Sequence, residues 1–170
     1  MVDYFKKFAE SICLQVTNSD EFTYDVTTGS NTGGHGRNPW RNFLKKYNLL
    51  GNKHIPDDYK FNSMESRLKL LAGLIDSDGY EDHNAFDFCL KSEKLVDDII
   101  FLSRSLGFHV TEKNKVTKVY TNAPDGPKEG TYYRFRICGE GLEKIPVLLE
   151  REREHTLGCQ QKIQTLWVSK

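Results

Sequence analysis

The nine residues from Leu71 to Gly79 read LAGLIDSDG and constrain the fold of this 170-residue chain more than any other stretch. The small side chains of Ala72, Gly73 and Ser77 allow two helix backbones to approach each other closely. Apolar side chains surround that contact, at Leu70, Leu71, Leu74 and Ile75. The segment therefore predicts a helix that packs against a second helix, and self-association of the chain through this face is one way to supply the partner.

Asp78 and Gly79 are expected to end this helix. A carboxylate there lies at the negative end of the helix dipole, among carbonyl groups without intrahelical partners, so a bound cation would stabilise it. Mg²⁺ prefers oxygen ligands, which Asp78, the carbonyl of Gly79 and a phosphate would provide, and Mn²⁺ could replace it. The alternative is an ordinary core helix with Asp78 as a solvated cap. Asp76 is expected to be structural.

The nonapeptide resembles the defining motif of the LAGLIDADG homing endonucleases and differs from it only at Ser77. In that family the motif helix packs against a second copy of itself and brings its last acid, here Asp78, to a metal ion beside DNA. The resemblance implies an α+β fold of αββαββα repeats, with curved antiparallel sheets that bind double-stranded DNA. It also implies site-specific hydrolysis of phosphodiester bonds in both strands. A DNA-binding module without cleavage, or a degenerate endonuclease remnant, is the alternative function.

An internal repeat indicates how the chain is organised. The stretch VDYFKKFAESICLQV near the N-terminus recurs in part as VDDIIFLSRSLGFHV, 94 residues later. Both copies predict an amphipathic helix that runs into a strand. We expect a partial first repeat over residues 1–62 that lacks its motif helix, and a complete second repeat over residues 63–154. Residues 155–170 are expected to be an extension that leads to a splicing domain. The same offset would place a first motif upstream of Met1.

Apolar periodicity and turn residues predict the order of elements in each repeat. In the second repeat we expect the motif helix, a hairpin through Phe86, Phe88 and Leu90, a helix from Ser92, a hairpin over residues 108–138, and a helix that begins near Gly139. In the first repeat we expect a helix from Val2, strands around residues 14–16 and 22–27, and a helix from Pro39 to about Leu50.

The predicted hairpin over residues 108–138 has one apolar and one basic face. Its inward side chains are expected to include Phe108, Val110, Tyr133, Phe135 and Ile137. The outward face would follow a DNA groove, where Arg and Lys can read guanine. The predicted DNA-binding residues are Lys91, Lys113, Lys115, Thr117, Tyr132, Arg134 and Arg136. The alternative is a merely solvated sheet face, and the zero net charge of the chain argues in that direction.

A second resemblance concerns the segment just before the motif helix. Lys53-His54-Ile55-Pro56 and the stretch from Leu102 to Gly107 are similar to elements of intein-borne endonucleases of the yeast vacuolar-ATPase kind. The resemblance implies that Lys53 lies near the active site, where an ammonium group could stabilise charge on the reacting phosphate. A solvent-exposed linker lysine is the alternative. Arg151 or Arg153 is expected to supply a second basic residue.

The composition excludes several other classes of protein. No apolar run is long enough for a membrane span, and the start MVDYFKKFAES does not resemble a signal peptide. We therefore expect an intracellular protein, nuclear in a eukaryote and otherwise cytoplasmic. Four widely spaced cysteines without a C-x-x-C pair argue against a zinc or disulfide framework. They are Cys13, Cys89, Cys138 and Cys159.

Overall fold

The computed structural model describes residues 2–20, 23–29, 38–120 and 127–148, which fall into two compact units divided in sequence after Asn52. The first unit contains helix α1 (Val2–Ser11), strands β1 (Gln15–Asp20) and β2 (Thr23–Thr27), and helix α2 (Pro39–Lys46). The second contains helices α3 (Asp57–Lys60), α4 (Met64–Asp78) and α5 (Glu93–Ser105) and strands β3 (Gly79–Glu81), β4 (Phe86–Leu90), β5 (His109–Val110), β6 (Asn114–Tyr120) and β7 (Lys128–Cys138). The α+β class expected from the sequence is confirmed.

In the first unit, the predicted helix, hairpin and helix are all present. After α1 the chain turns at Cys13, which has a left-handed backbone (φ 58), and this turn brings Leu14 into a buried position. β1 and β2 then pair as an antiparallel hairpin. The ring of Phe8 on α1 meets that of Trp40 on α2 edge to face, with centroids 5.8 Å apart.

Helix α2 begins at the predicted residue but ends one turn early. Asn38 caps its N-terminus, because its side chain accepts a hydrogen bond from the N–H of Arg41 at 3.2 Å, and Pro39 occupies the first helical position. The helix ends at Lys46, since Asn48 adopts a left-handed conformation (φ 54) that a helix cannot continue through.

The motif helix α4 has the predicted C-terminal end. Ser63 caps its start by accepting a hydrogen bond from the N–H of Ser66 at 3.2 Å. Its last residue is Asp78, and the N–H of Gly79 still bonds to the carbonyl of Ile75. A Cβ at Gly79 would lie 3.0 Å from that carbonyl oxygen, so glycine allows the chain to pass directly from the helix into β3.

The sheet of the second unit is antiparallel throughout and carries its core on one face. The strand order is β3-β4-β7-β5, and β6 also pairs with β7. The rings of Phe88 on β4 and Phe135 on β7 stack at 5.1 Å. Apolar side chains of α4 and α5 share a core with these strands, notably Leu71, Ile75, Val96, Ile99 and Leu102.

A β-bulge separates β5 from β6. Val110 is opposite Ile137, and Asn114 is opposite Arg134. Three residues lie between Val110 and Asn114, whereas two residues of β7 lie between Arg134 and Ile137. Thr111, within the bulge, still forms two hydrogen bonds with the backbone of Arg136. The N–H of Thr111 donates to the carbonyl of Arg136 at 2.9 Å, and Oγ1 of Thr111 accepts from the N–H of Arg136 at 2.9 Å. One extra residue turns every following side chain of β6 to the opposite face.

The helix predicted to begin near Gly139 is wrong. Gly139 and Gly141 have φ values of 118 and 84, outside the helical region, and within the described residues up to 148 the only helical segment that follows is a short 3-10 turn at Leu142–Lys144. Across the described part of the chain, the helices are too short or too polar to cross a membrane.

Candidate nucleic-acid interface

Asp78 is the last residue of the motif helix. Its side chain is partly exposed, and the hydroxyl of Ser77 donates to it over a long distance of 3.4 Å. The same hydroxyl also donates to the carbonyl of Leu74 at 3.2 Å. This is the position that the sequence predicts for a cation-binding carboxylate, and the metal-binding role of Asp78 stays a prediction.

The other acid of the motif has a different environment. Asp76 is buried, with 7% of its surface exposed, and its Oδ2 accepts a hydrogen bond from the N–H of Leu148 at 2.9 Å. A buried carboxylate that accepts a backbone N–H holds two segments together and is poorly accessible to a phosphate. This geometry agrees with the structural role expected for Asp76.

Two lysines lie at the same end of the sheet as Asp78. β3 and β4 are antiparallel, and Gly79, the first residue of β3, is opposite Phe88 near the C-terminal end of β4. Asp78, the last residue of α4, therefore lies at this end of the sheet. Lys91 directly follows β4 and is exposed. The next residue, Ser92, caps α5 and donates its hydroxyl to the carbonyl of Lys53 at 3.0 Å. Lys53 and Lys91 therefore lie at the same end of the sheet as Asp78, and their membership of one active site stays a prediction.

The donor atoms at this end fit Mg²⁺ only in part. Within the described residues, no group of three His, Cys, Asp or Glu side chains is arranged to hold a metal ion. Asp78 would contribute one carboxylate, and Gly79 would contribute a carbonyl oxygen. Mg²⁺ commonly binds through one or two carboxylates and completes its coordination with water and phosphate oxygens. The donor set is therefore suited to Mg²⁺ in a complex with nucleic acid.

The outer face of the sheet, opposite the core, is formed in β7 by Tyr132, Arg134 and Arg136. Tyr133, Phe135 and Ile137 alternate with them and contact or lie within the core, as predicted. Both arginines are paired with acids. Arg134 donates to the two oxygens of Asp87 at 3.1 and 2.9 Å, and Arg136 donates to Asp87 at 3.1 Å and to Asp82.

Burial acts to lower the pKa of Arg136, but Asp87 and Asp82 raise it by more, so its pKa lies above the ordinary value. Asp87 is itself buried, with 8% of its surface exposed. Sequence reasoning missed this acid. Its place between the inward residues Phe86 and Phe88 was the signal that its side chain faces outward.

The predicted placement of the lysines of the second hairpin on the outer face is wrong, and the bulge is the reason. Lys115 is opposite Tyr133 and Thr117 is opposite Thr131, so both lie on the face that carries the core. The outer face of β6 is formed instead by Asn114, Val116 and Lys118. The Nζ of Lys118 lies 5.7 Å from the ring centroid of Tyr132.

Lys113, within the bulge, also turns toward the helices. Its Nζ lies 2.6 Å from Asp97 Oδ1 and 2.9 Å from Glu93 Oε1, both on α5. The hydrogen bonds to Asp97 and Glu93 raise the pKa of Lys113 above its ordinary value. The ammonium group therefore neutralises acids of α5 rather than facing outward with Arg134.

Only part of the predicted helix interface is exposed on α4. Gly73 and Ser77 are exposed, and a Cβ added at Gly73 would meet no atom within 4 Å. Ala72, in contrast, is 3% exposed and belongs to the core of its own unit. The assignment of Ala72 to a contact with a second copy of the motif helix is therefore wrong, whereas Gly73 and Ser77 keep that role as a prediction.

A sequence model of the homing endonuclease family matches residues 54–139, half of the chain. This chain belongs to the homing endonuclease family. The matched residues include all of α4, Asp78 and the whole sheet of the second unit, and Lys53 lies one residue before them.

Two curated proteins are similar to this chain. A protein named replicative DNA helicase DnaB, from Mycobacterium intracellulare, is 38% identical over 113 residues, which are 66% of this chain and 18% of that protein. The homothallic switching endonuclease of Saccharomyces cerevisiae is 29% identical over 128 residues, which are 63% of this chain and 22% of that protein. The chain thus spans about a fifth of the length of the curated relatives it matches.

Some of the residues for which the sequence predicts a role lie outside the described part of the chain. They are Arg151, Arg153, Cys159 and the extension over residues 155–170. The division into repeats at residues 62 and 154 also stays a prediction.

Proposed function

We propose that this homing endonuclease domain binds duplex DNA through the outer face of its second-unit sheet and hydrolyses phosphodiester bonds at a specific site with Mg²⁺. The observation that carries the proposal is the position of Asp78. It ends a motif helix at a partly exposed position, at the same end of the sheet as Lys53 and Lys91. The name of the yeast relative, a switching endonuclease, supports DNA cleavage as the reaction class.

Each of these residues would have a distinct role in the reaction. Asp78, with the carbonyl oxygen of Gly79, would hold the metal ion at the scissile phosphate. Bound there, Mg²⁺ would supply charge neutralisation at the attacking and leaving oxygens. Lys53 would place its ammonium beside the phosphate and stabilise the charge that develops in the transition state. Lys91 would hold the neighbouring DNA backbone in register.

We also propose that the domain is inserted in a longer host protein, as in inteins. The segment Lys53-His54-Ile55-Pro56 supports this origin, because it resembles an element of intein-borne endonucleases. The helicase relative supports it as well. A match that occupies only 18% of a protein named for another activity is the arrangement expected of an inserted endonuclease domain.

A DNA-binding module without cleavage is the second candidate function, and one observation favours it. The chain contains a single copy of the nonapeptide, so it offers one Asp78 for two DNA strands. A strict monomer would then bind DNA and nick one strand at best. Association of two chains through the exposed face that carries Gly73 and Ser77 would bring two copies of Asp78 together.

The test uses the full 170-residue chain. A preferred sequence is first selected from randomised duplexes and then cloned into a supercoiled plasmid. Cleavage is followed with Mg²⁺, with Mn²⁺ and with a chelator, and the molar mass is measured by light scattering. Metal-dependent linearisation by a dimer, or nicking by a monomer, supports the endonuclease. Tight, selective binding with an intact plasmid in both metals would support the binding module instead.

A further inference from the structure

The hairpin of β6 and β7 extends beyond the rest of its sheet. β4 pairs with residues 133–137 of β7, whereas β6 pairs with residues 128–134. Among the described strands, residues 128–132 of β7 are therefore paired with β6 alone, and the two strands form a ribbon there. The major groove of B-DNA is wide enough to admit a two-stranded ribbon. The outer face of this ribbon is thus placed to contact the edges of base pairs.

The outer face of the ribbon carries one apolar pair of opposite residues. Val116 on β6 is opposite Tyr132 on β7, and both side chains are partly exposed. The neighbouring outward positions are polar or lack a side chain, and they are Asn114 and Arg134 on one side and Lys118 and Gly130 on the other. Successive outward residues of a strand are about 7 Å apart, which corresponds to roughly two base-pair steps of B-DNA. The apolar pair can therefore contact a single base pair or two adjacent ones.

Gly130 determines where the ring of Tyr132 lies. A Cβ added at Gly130 would lie 2.7 Å from Cε2 and 3.1 Å from Oη of Tyr132, so the ring lies over the glycine. The φ of Gly130 is not positive, so its backbone is one that alanine can also adopt. The close approach of the ring therefore explains why a glycine suits this position. The Nζ of Lys118, which is opposite Gly130, lies 5.7 Å from the ring centroid and helps to hold the ring along its own strand.

An apolar surface on this face has one counterpart in the major groove. Among the four bases of DNA, only thymine presents a methyl group there, whereas the other base edges are distinguished by hydrogen-bond donors and acceptors. The side chain of Val116 cannot form such hydrogen bonds, but it can contact a methyl group. Burial of one group of this size changes affinity by about fourfold. The chemistry of the apolar pair therefore selects thymine.

We propose that Val116 and Tyr132 contact the methyl group of a thymine in the major groove, and that Gly130 is a positioning residue for the ring of Tyr132. The inference rests on the proposed binding of duplex DNA by this face. It gives Gly130→Ala a specific signature, because the new Cβ displaces the ring without removing it. The atoms that this Cβ would meet are the far end of the Tyr132 side chain, which can rotate away, so the fold is kept.

The experiment removes the methyl group of thymine and nothing else. A preferred sequence is selected from randomised duplexes with the full chain, and each thymine in it is then replaced in turn by uracil, which lacks only that methyl group. Affinity for each duplex is measured by fluorescence anisotropy. At one thymine, or at two adjacent ones, we expect the unaltered chain to lose about fourfold in affinity and Tyr132→Ala to lose nothing.

Two further variants separate recognition from folding. Gly130→Ala should also bind thymine and uracil equally at that position, with a melting temperature close to that of the unaltered chain. Combined with Tyr132→Ala, it should add little further loss, because both substitutions act through one contact. Thr131→Ala is the matched control, since Thr131 lies between the two residues in sequence but on the opposite face of the strand. It should keep the fourfold preference for thymine.

Each part of the inference can fail separately. A selected sequence without thymine, or equal binding of thymine and uracil by the unaltered chain at every position, would overturn the methyl contact and leave the proposed DNA binding in place. A preference for thymine that survives in Tyr132→Ala would overturn the role of the ring, and one that survives in Gly130→Ala would overturn the role of the glycine. Failure of the unaltered chain to bind any duplex would overturn the proposed function and, with it, this inference.

Discussion

The carboxylate of Asp98 accepts the backbone N–H of Ile55 at 2.8 Å, two residues after Lys53. Its other oxygen accepts from the ammonium of Lys60, also at 2.8 Å. The side chains of Asp98 and Lys60 are 11% and 17% exposed, so the pair lies largely out of water. One buried acid on α5 thus anchors the segment that carries Lys53 and raises the pKa of Lys60 through its hydrogen bond.

Asp98→Ala should therefore lower the free energy of unfolding and impair cleavage together. It leaves the backbone N–H of Ile55 without its acceptor and removes one of the two carboxylates that hold the ammonium of Lys60, the other being Asp57 at 3.0 Å. The expected cost is about 2 kcal/mol. It also releases the segment that carries Lys53, so the cleavage rate should fall more than DNA affinity. Asp97→Ala is the matched control, since Asp97 is exposed and its loss should cost less than about 1 kcal/mol. Chemical denaturation checks the first effect, and equal stability of the two variants would contradict it.

Asp78→Asn should abolish cleavage and leave DNA affinity within about tenfold, or ~1.4 kcal/mol. The amide is a poor metal ligand, but its neutrality also relieves repulsion from phosphate. Asp76→Asn should reduce cleavage less, since an amide oxygen can still accept the backbone N–H of Leu148 that Asp76 accepts at 2.9 Å. Plasmid cleavage and fluorescence anisotropy give the two readouts. Full activity of Asp78→Asn in Mg²⁺ would remove Asp78 from the metal site.

The salt dependence of binding should distinguish the two faces of the second hairpin. Lys118 lies on the outer face, so Lys118→Ala should reduce the slope of log affinity against log salt by about one unit if the ammonium contacts a phosphate. Lys113→Ala should leave the slope unchanged, because its ammonium is held by Asp97 and Glu93. Titration at several salt concentrations measures both slopes. A larger effect at Lys113 than at Lys118 would contradict the register described for β6.

Glu93 should make the stability of the fold depend on pH in the acid range. Tyr133 donates a 2.6 Å hydrogen bond to Glu93, and this bond, followed by that from Lys113, lowers the pKa of Glu93 below its ordinary value of 4.5. The ionised group therefore stabilises the fold above that value, and the contribution is lost as the pH falls below it. The melting temperature of Glu93→Gln should lie below that of the unaltered chain at neutral pH. The two curves should converge in acid, and a constant gap would show that Glu93 acts by another route.

Local features could be predicted from the sequence where all the residues that determine the feature lie in one short segment. The end of α4 at Asp78 and the caps Asn38 and Ser92 follow from residue types that act within one turn. The side chains around Asp87 could not be predicted in this way, because their partners lie 47 to 54 residues apart in the chain. The helix expected near Gly139 failed because glycines at that position adopt positive φ.

The bulge between Val110 and Asn114 also determines how mutations can alter the outer face of the sheet in the second unit. A substitution alters one side chain of β6, whereas loss of a single residue from the bulge would exchange the two faces of the whole strand. Lys115 and Thr117 would then replace the present outward residues in one step. A variant that lacks Glu112 should accordingly select a different DNA sequence, and selection of the same sequence would show that the register is held elsewhere. Short insertions and deletions are thus a direct evolutionary route by which such a nuclease acquires a new target.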